Sequence, residues 1–318
     1  MPNKIALILG CSGQDGSLLS HSLLTKGYKV IGVTRSNNTE FKNHKKLGIQ
    51  KDIEIKKCDI SNLLSISKII KECNPDKIFN LAAQSSVGKS ILNPIDTVQG
   101  IVSGTLNILE ASRKNNFSGR IFFAGSSEIF GNTEIGADIK HIQNPINPYG
   151  IGKQASFNLV KFYRDIHNIK CVTGVLFNHE SPLRNKDFVT QKIINGARLI
   201  KNGNKNVKLK LGNIKAIRDW GWAPEYIDAI QIITDAKKLN DHVICTGQGH
   251  SLEVFIEKVF SFYNLNWEEH VEIDKSLFRP NDIRKSYGNP EPLFRELNWK
   301  ANNNLDTIIQ KLINNSYI

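Results

Sequence analysis

The sequence predicts an α/β protein: a doubly wound parallel sheet with a smaller, mostly C-terminal α/β lobe. Three observations predict it. Short apolar runs rich in β-branched residues alternate with helical-period segments from Lys4 to Leu176. Three glycines at even spacing join the first run to the first helical stretch, and the alternation weakens beyond Phe177. Strands that alternate with helices imply right-handed crossovers, and hence strands running in parallel.

Taken in order, "KIALIL" (4–9) is a buried-strand run, "GCSGQDG" a turn, and Ser17 to Lys26 an amphipathic helix. "YKVIGV" (28–33), "IEIKK" (53–57), "KIFNLA" (77–82), "RIFFA" (120–124) and "KCVTGVL" (170–176) read as further strands. Between them, "VQGIVSGTLNILEASRK" has helical period, with Val98, Ile101, Val102, Thr105, Leu106 and Leu109 expected on one buried face. Beyond Phe177, helical patterns near 188–201, 225–237, 251–263 and 303–314 surround short strands such as "VKLKL" and "HVICT". The division expected is therefore 1–177 and 178–318, with a later segment near 213–247 as a candidate to complete the first sheet. No repeat and no low-complexity linker separates the two, so they are expected to pack as one unit.

At 318 residues and 40% hydrophobic content, the chain is long and apolar enough for a packed core. It contains no apolar run long enough to span a bilayer, and its first strand is too short for a signal-peptide core, so the expectation is a cytoplasmic protein. The five cysteines (Cys11, Cys58, Cys73, Cys171, Cys245) are scattered with no C-x-x-C pair; they read as reduced core residues, with neither a disulfide framework nor a metal site indicated. A formal charge of +12 is compatible with nucleic acid, an anionic membrane or a phosphorylated substrate. Its lysines are spread along the chain without interleaved aromatics, so solvated faces that also steer an anionic substrate are expected, with no nucleic-acid or membrane partner.

Gly10, Gly13 and Gly16 stand between a strand and a helix. In that context the first glycine permits a tight bend, the second lets backbone N–H groups approach a pyrophosphate, and the third allows close helix packing. The helix N-terminus favours the negative charge. This is a Rossmann-type dinucleotide turn. After the second strand, "IGVTRSNN" lacks the acid that would meet a ribose 2′-hydroxyl; Arg35 stands there, and a guanidinium pairs with a 2′-phosphate. NADP is therefore expected over NAD, the alternative being a solvent-facing Arg35. Asp59 is read either as an adenine contact or as a cap for the helix starting near Asn62.

Glu128 follows a buried strand at the edge where a parallel sheet opens onto ligands, so it lies where chemistry is expected. In "NPYGIGK", Tyr149 and Lys153 are four apart on a helix and so share a face. An ammonium beside a phenol lowers the phenol's pKa and yields a base for a sugar hydroxyl. With Ser126 one strand away, these residues form a Ser/Tyr/Lys hydride-transfer set.

At this point the chain resembles an extended short-chain dehydrogenase/reductase acting on nucleotide sugars, and is most similar to the GDP-mannose 4,6-dehydratase family. "ALILGCSGQDGS", "NLAAQSSV", "SSEIFG", "NPYGIGK", "LFNHESPLR", "FVTQKI" and "RDWGWAPEYIDAI" match its pattern in order over most of residues 4–230. The resemblance implies that Ser126 holds the sugar 4-hydroxyl, that Glu128 is the base and that Tyr149 and Lys153 are the hydride-step pair. Ser127 stands where the dTDP-glucose dehydratases carry an Asp and is a candidate at the water-loss step. It also implies that Gln14, Asp15, Ile60, Leu81, Ala82, Ala83 and Ser85 join the glycines, Arg35 and Asp59 at the cofactor. The nucleotide sugar would meet Ser86, Asn178, Glu180, Arg184, Val189, Lys192, Arg218, Arg279 and Asp282, with a GDP-linked sugar favoured. The smaller lobe then becomes the substrate-binding lobe.

Some positions depart from the family pattern. One Arg, followed by Ser36, stands where two adjacent arginines shared between subunits are frequent, so a homodimer is expected and a tetramer is in doubt. Trp222 replaces a His or Tyr, the segment before "FRP" lacks a long insertion, and Asp282 replaces a Glu; these changes are expected to border the sugar and ribose sites. The chemistry itself favours dehydration. Oxidation at C4 acidifies the C5 proton, a carboxylate removes it, water leaves from C6, and the stored hydride returns to C6. A 4-epimerase needs no such carboxylate, and the alternatives on this fold are an epimerase, a 4-reductase, a decarboxylase or an inert NADP-binding protein.

Overall fold

The computed structural model describes residues 4–35, 40–204 and 208–318. Its first half alternates β1 (Ile5–Leu9), α1 (Gln14–Thr25), β2 (Lys29–Thr34), α2 (Lys42–Lys46), β3 (Ile53–Lys57), α3 (Leu63–Cys73) and β4 (Lys77–Asn80). Helices α4 (Val87–Leu92) and α5 (Pro94–Lys114), strand β5 (Arg120–Ser126), helix α6 (Pro148–His167) and strand β6 (Cys171–Leu176) follow. The second half contains β7 (Asn178–Glu180), α7 (Val189–Lys201), β8 (Leu209–Leu211), β9 (Ile217–Trp222), α8 (Ala223–Asp235) and β10 (His242–Ile244). It ends with β11 (Gly249–Ser251), α9 (Leu252–Phe262), β12 (Val271–Ile273), β13 (Lys285–Ser286), α10 (Glu291–Leu297) and α11 (Leu305–Ile313).

The main sheet has seven strands in the order β10-β6-β5-β4-β1-β2-β3, all parallel. The order reverses beside β1, so the loops after β1 and β4 splay apart and leave a crevice at their carboxyl ends. "HVICT", read as one of the short strands of the smaller lobe, instead contributes β10 to this sheet, within the later segment near 213–247 that is the candidate to complete it, and α8 packs against α1 on the same sheet's face. Ile8, Phe79 and Phe122 fill one side with Leu19, Tyr226 and Ile230; Leu7, Ile78 and Ile121 fill the other with Ile66, Ile108 and Val160. The second lobe is organised on β9, which pairs with β7, β11 and β13, and β8 pairs separately with β12. Its core joins α7, α9 and α11 around Trp220 and Trp222.

On α5 the buried positions are Thr97, Ile101, Gly104, Thr105, Ile108, Leu109, Ala111 and Ser112, whereas Leu106 is 38% exposed. The expected face is thus rotated. The cause is that α5 packs on both α3 and α6, and Gly104 sits against Ile60, which pulls the Ile108 side inward. All five cysteines are buried and unpaired. Of "VKLKL", the described part begins at Lys208; Val207, like Ser36, lies outside the described residues. Among the described residues no helix is long and apolar enough to cross a membrane, and no cluster of three metal-ligating side chains is present.

Candidate active site

The glycine turn is built by close approach. Gly10 has φ +82, and a Cβ there would stand 2.9 Å from the Ala82 backbone; a Cβ on Gly16 would stand 2.2 Å from the Gly10 carbonyl. A Cβ on Gly13 would meet only the Gly10 oxygen, at 3.5 Å, so this glycine faces open space. Gly13 is also the N-cap of α1 and supplies no side chain to its first turn. The positive end of α1 is therefore free to meet an anion, and the turn fits the pyrophosphate of a dinucleotide.

Around this cradle, Leu81 continues β4 through its N–H to Leu9 O (3.0 Å), and the Ala82 N–H is taken by Asn80 Oδ1. Ala83 and Ser85 follow in the crevice loop, and Ser86 caps α4 through the Lys89 N–H. Arg35 is exposed at the end of β2. Asp59 takes the Ser61 N–H at 3.0 Å, which holds its carboxyl below the usual range, with the Arg35 charge adding to this. The cap of α3 is Asn62 and not Asp59. Ile60 packs against Gly104 of α5.

Ser126 ends β5 and Glu128 lies in the short 3₁₀ turn that follows, where the Glu128 N–H reaches Ser126 Oγ at 3.3 Å. Asn147 caps α6 by accepting the Gly150 N–H at 2.8 Å, and its amide donates to Glu128 Oε2 at 2.6 Å. One side chain thus fixes both the helix start and the carboxylate. Pro148 at the first helical position reinforces that start and places Tyr149 and Lys153 on the face towards β5. Ser127 is 3% exposed.

Tyr149 and Lys153 are each 8% exposed. Lys153 Nζ donates to Ala124 O at 2.7 Å and lies 5.7 Å from the centroid of the Tyr149 ring. The expected lowering of the phenol is not found: burial pushes Tyr149 up to about 12, against the hydrogen bond with Ser126. Burial also pushes the Lys153 ammonium down to about 8, opposed by the Asp15 charge. Desolvation is the largest influence on both groups.

On the lobe side, Arg218 Nη2 lies 3.3 Å and Arg279 Nη1 3.9 Å from Asp282 Oδ1. Two guanidiniums share one carboxylate, and burial holds Arg218 below its ordinary value. Asn178 and Glu180 lie on β7, and Arg184 Nε approaches Glu180 Oε2 at 3.4 Å, with its guanidinium 4.1 Å over the Phe188 ring. Glu180 also accepts from Thr190 Oγ1, and burial raises its carboxyl. Val189 opens α7, half-buried, and Lys192 is exposed one turn later. Trp222 does not border the sugar side: it is 1% exposed within the lobe core, with Lys311 Nζ 5.0 Å over its ring. An indole fits there because β9 alternates its faces and directs Trp220 and Trp222 into that core.

Two features were not read from the sequence. Asn147 sits inside the quoted "NPYGIGK", and its signal was the Asn-Pro pair that marks a helix start. The other is where Gln14 and Asp15 point. Gln14 accepts from Ser181 Oγ at 3.0 Å and donates to His179 O, while Asp15 faces His179 Nε2 at 3.0 Å, so both side chains engage the 179–181 segment.

Against known proteins, the family model described as GDP-mannose 4,6 dehydratase matches residues 7–312. GDP-mannose 4,6 dehydratase 1 of Arabidopsis thaliana is 36% identical over 323 residues, covering 98% of this chain and 89% of that protein. The GDP-mannose 4,6 dehydratase of Homo sapiens is 33% identical over 341 residues, covering 98% and 91%. Among solved structures, a Thermotoga maritima UDP-glucose 4-epimerase with UDP-glucose superposes with a TM-score of 0.86 at 19% identity, covering 98% of each chain. A Bacillus anthracis dTDP-glucose 4,6-dehydratase in complex with NAD gives 0.85 at 18%, covering 98% of this chain and 96% of that one. These distant structures carry the fold, and the sequence relatives carry the chemistry. With a family model spanning nearly the whole chain, the protein belongs to the GDP-mannose 4,6-dehydratase family and is a nucleotide-sugar 4,6-dehydratase, a hydro-lyase.

Proposed function

We propose that the protein converts a GDP-linked, mannose-type hexose to its 4-keto-6-deoxy product, using NADP. The observation that carries this reading is the Asn147-held carboxylate of Glu128 beside Ser126, Tyr149 and Lys153 at the end of β5. When bound, the nicotinamide would supply the reversible two-electron exchange that links oxidation at C4 to reduction at C6. Gly10, Gly13 and Gly16 would hold its pyrophosphate, and Arg35 the 2′-phosphate, since no acid stands at the end of β2.

Ser126 orients the 4-hydroxyl and Tyr149 takes its proton, with the Lys153 charge favouring the phenolate. Burial pushes the phenol up to about 12, so deprotonation has to be driven by the hydride step it accompanies. Glu128 then removes the C5 proton. A serine hydroxyl is too weak an acid to protonate the departing C6 oxygen, so Glu128 passes the proton it has gained to the leaving water; a proton of solvent origin then reaches C5 as hydride returns to C6. Arg184, Arg218 and Arg279, with Asn178 and Lys192, meet the nucleotide diphosphate; two guanidiniums on one Asp282 leave a net positive charge for it.

The same reading extends to assembly and place. Leu106 on α5 and Ile151, Phe162 and Ile166 on α6 are apolar and 38–62% exposed, which suits a homodimer across these helices in the cytoplasm. The decisive test is Glu128→Gln with GDP-mannose deuterated at C4. Wild type transfers the label to C6 and takes up solvent deuterium at C5; the variant binds the sugar and loses about 10²- to 10⁴-fold in water release. Near wild-type release of 4-keto-6-deoxy product by the variant would remove Glu128 from the reaction.

A further inference from the structure

His179 has an acceptor at each ring nitrogen. Nδ1 lies 2.7 Å from Phe177 O, a carbonyl that can only accept, and Nε2 lies 3.0 and 3.1 Å from the two oxygens of Asp15. Both nitrogens must donate for both contacts to be satisfied, so the ring is an imidazolium paired with a carboxylate. It is 8% exposed and stacks on Tyr226 at 4.7 Å, which leaves it no rotamer freedom. Burial works against charge on both partners, yet Asp15 is held down at about 2 and His179 is raised.

The pair has neighbours that act in the same direction. Gln14 donates to His179 O and accepts from Ser181 Oγ, and Asn43 donates to Leu183 O at 3.1 Å and to Ser12 O at 3.4 Å. The Gln14 and Asp15 bonds join the start of α1 to residues 179–181, and Asn43 of α2 ties Leu183 to Ser12 of the turn; residues 179–183 lie between Asn178 and Arg184. We propose that the Asp15–His179 pair, with Gln14 and Asn43, is a positioning brace that fixes the nucleotide-sugar segment 178–184 to the cofactor turn, so that occupancy of one site orders the other. The inference deepens the nucleotide-sugar reading above and rests on it for the identity of the second ligand. Asp15 and His179 act through the residues they hold and are not assigned contact with reacting atoms.

The test uses hydrogen exchange on the full chain, read at peptides covering 177–188 with and without NADP. Wild type should show exchange in that segment slowed about tenfold by NADP, and Asp15→Ala and His179→Phe should lose this slowing. Asp15→Asn should keep it, because an amide can donate to Nε2 of a neutral imidazole while Nδ1–H still serves Phe177. A second arm measures calorimetric binding of GDP with NADP present, expected to weaken about tenfold or more in the first two variants and to stay within about threefold of wild type in Asp15→Asn. If the variants only melt at lower temperature while NADP still protects 177–188, or if NADP never protects that segment in wild type, the brace is refuted. If wild type binds no GDP, the substrate class is wrong while the exchange result still decides the brace.

Discussion

Asn147 performs two tasks with one amide, and two substitutions separate them. Serine is as good an N-cap as asparagine, so Asn147→Ser keeps the bond to the Gly150 N–H while removing the donor to Glu128; Asn147→Ala removes both. The cap is worth about 1 kcal/mol, which in a chain of this size lowers the melting temperature by roughly 2 °C in the alanine variant and by almost nothing in the serine variant. The 2.6 Å contact to Glu128 is a charge-assisted bond, a class that contributes about 1.5–3 kcal/mol. If that energy positions the carboxylate for the C5 proton, kcat should fall about 10- to 150-fold in both variants. Calorimetry together with steady-state turnover of GDP-mannose reads the two effects apart. A serine variant with wild-type turnover would refute the positioning role, and one that melts with the alanine variant would refute the cap.

Three further outcomes follow from the same geometry. Arg35→Asp should narrow or invert the preference for NADP over NAD in equilibrium binding, and no change would take Arg35 away from the 2′-phosphate. Gly16→Ala should abolish tight cofactor binding and cost about 1–3 kcal/mol of stability, because the added Cβ would meet the Gly10 carbonyl at 2.2 Å and backbone cannot yield; a variant with normal affinity contradicts that packing. Lys153 is lowered from 10.5 to about 8, so its buried charge costs stability below pH 8, a cost relieved as pH rises from about 8 towards 10.5. Unliganded protein should therefore gain stability over that window relative to Lys153→Met, while its NADP affinity declines as the ammonium is lost.

What the sequence discloses here is what depends on local spacing. Gly10 and Gly16 declare a turn because backbone conformation and close approach tolerate little else, and Tyr149 and Lys153 share a face because helical period is fixed. Leu106 and Ile108 were harder to place, since both are apolar and neighbouring helices decide which one turns inward. Trp222 looked like a site change because it adjoins "RDWG", but strand alternation sends its side chain into the lobe core. The His179 and Ser181 partners of Asp15 and Gln14 lie more than 160 positions away, a pairing that no local pattern encodes. The phenol's pKa departs from expectation for a related reason: the nearness of Lys153 can be read from spacing, whereas the burial that raises the phenol comes from the whole fold.

The pairing of β10 with β6 bears on how the molecule is made. Strand β6 is synthesised well before β10, with the lobe strand β9 and helix α8 emerging between them. At ordinary elongation rates the edge of β6, six residues buried in the finished protein, waits on the order of several seconds for its neighbour. An unpaired apolar edge of that kind recruits other chains. A fragment ending before His242 would leave this buried strand with one edge uncovered, and is expected to aggregate more readily than the full chain.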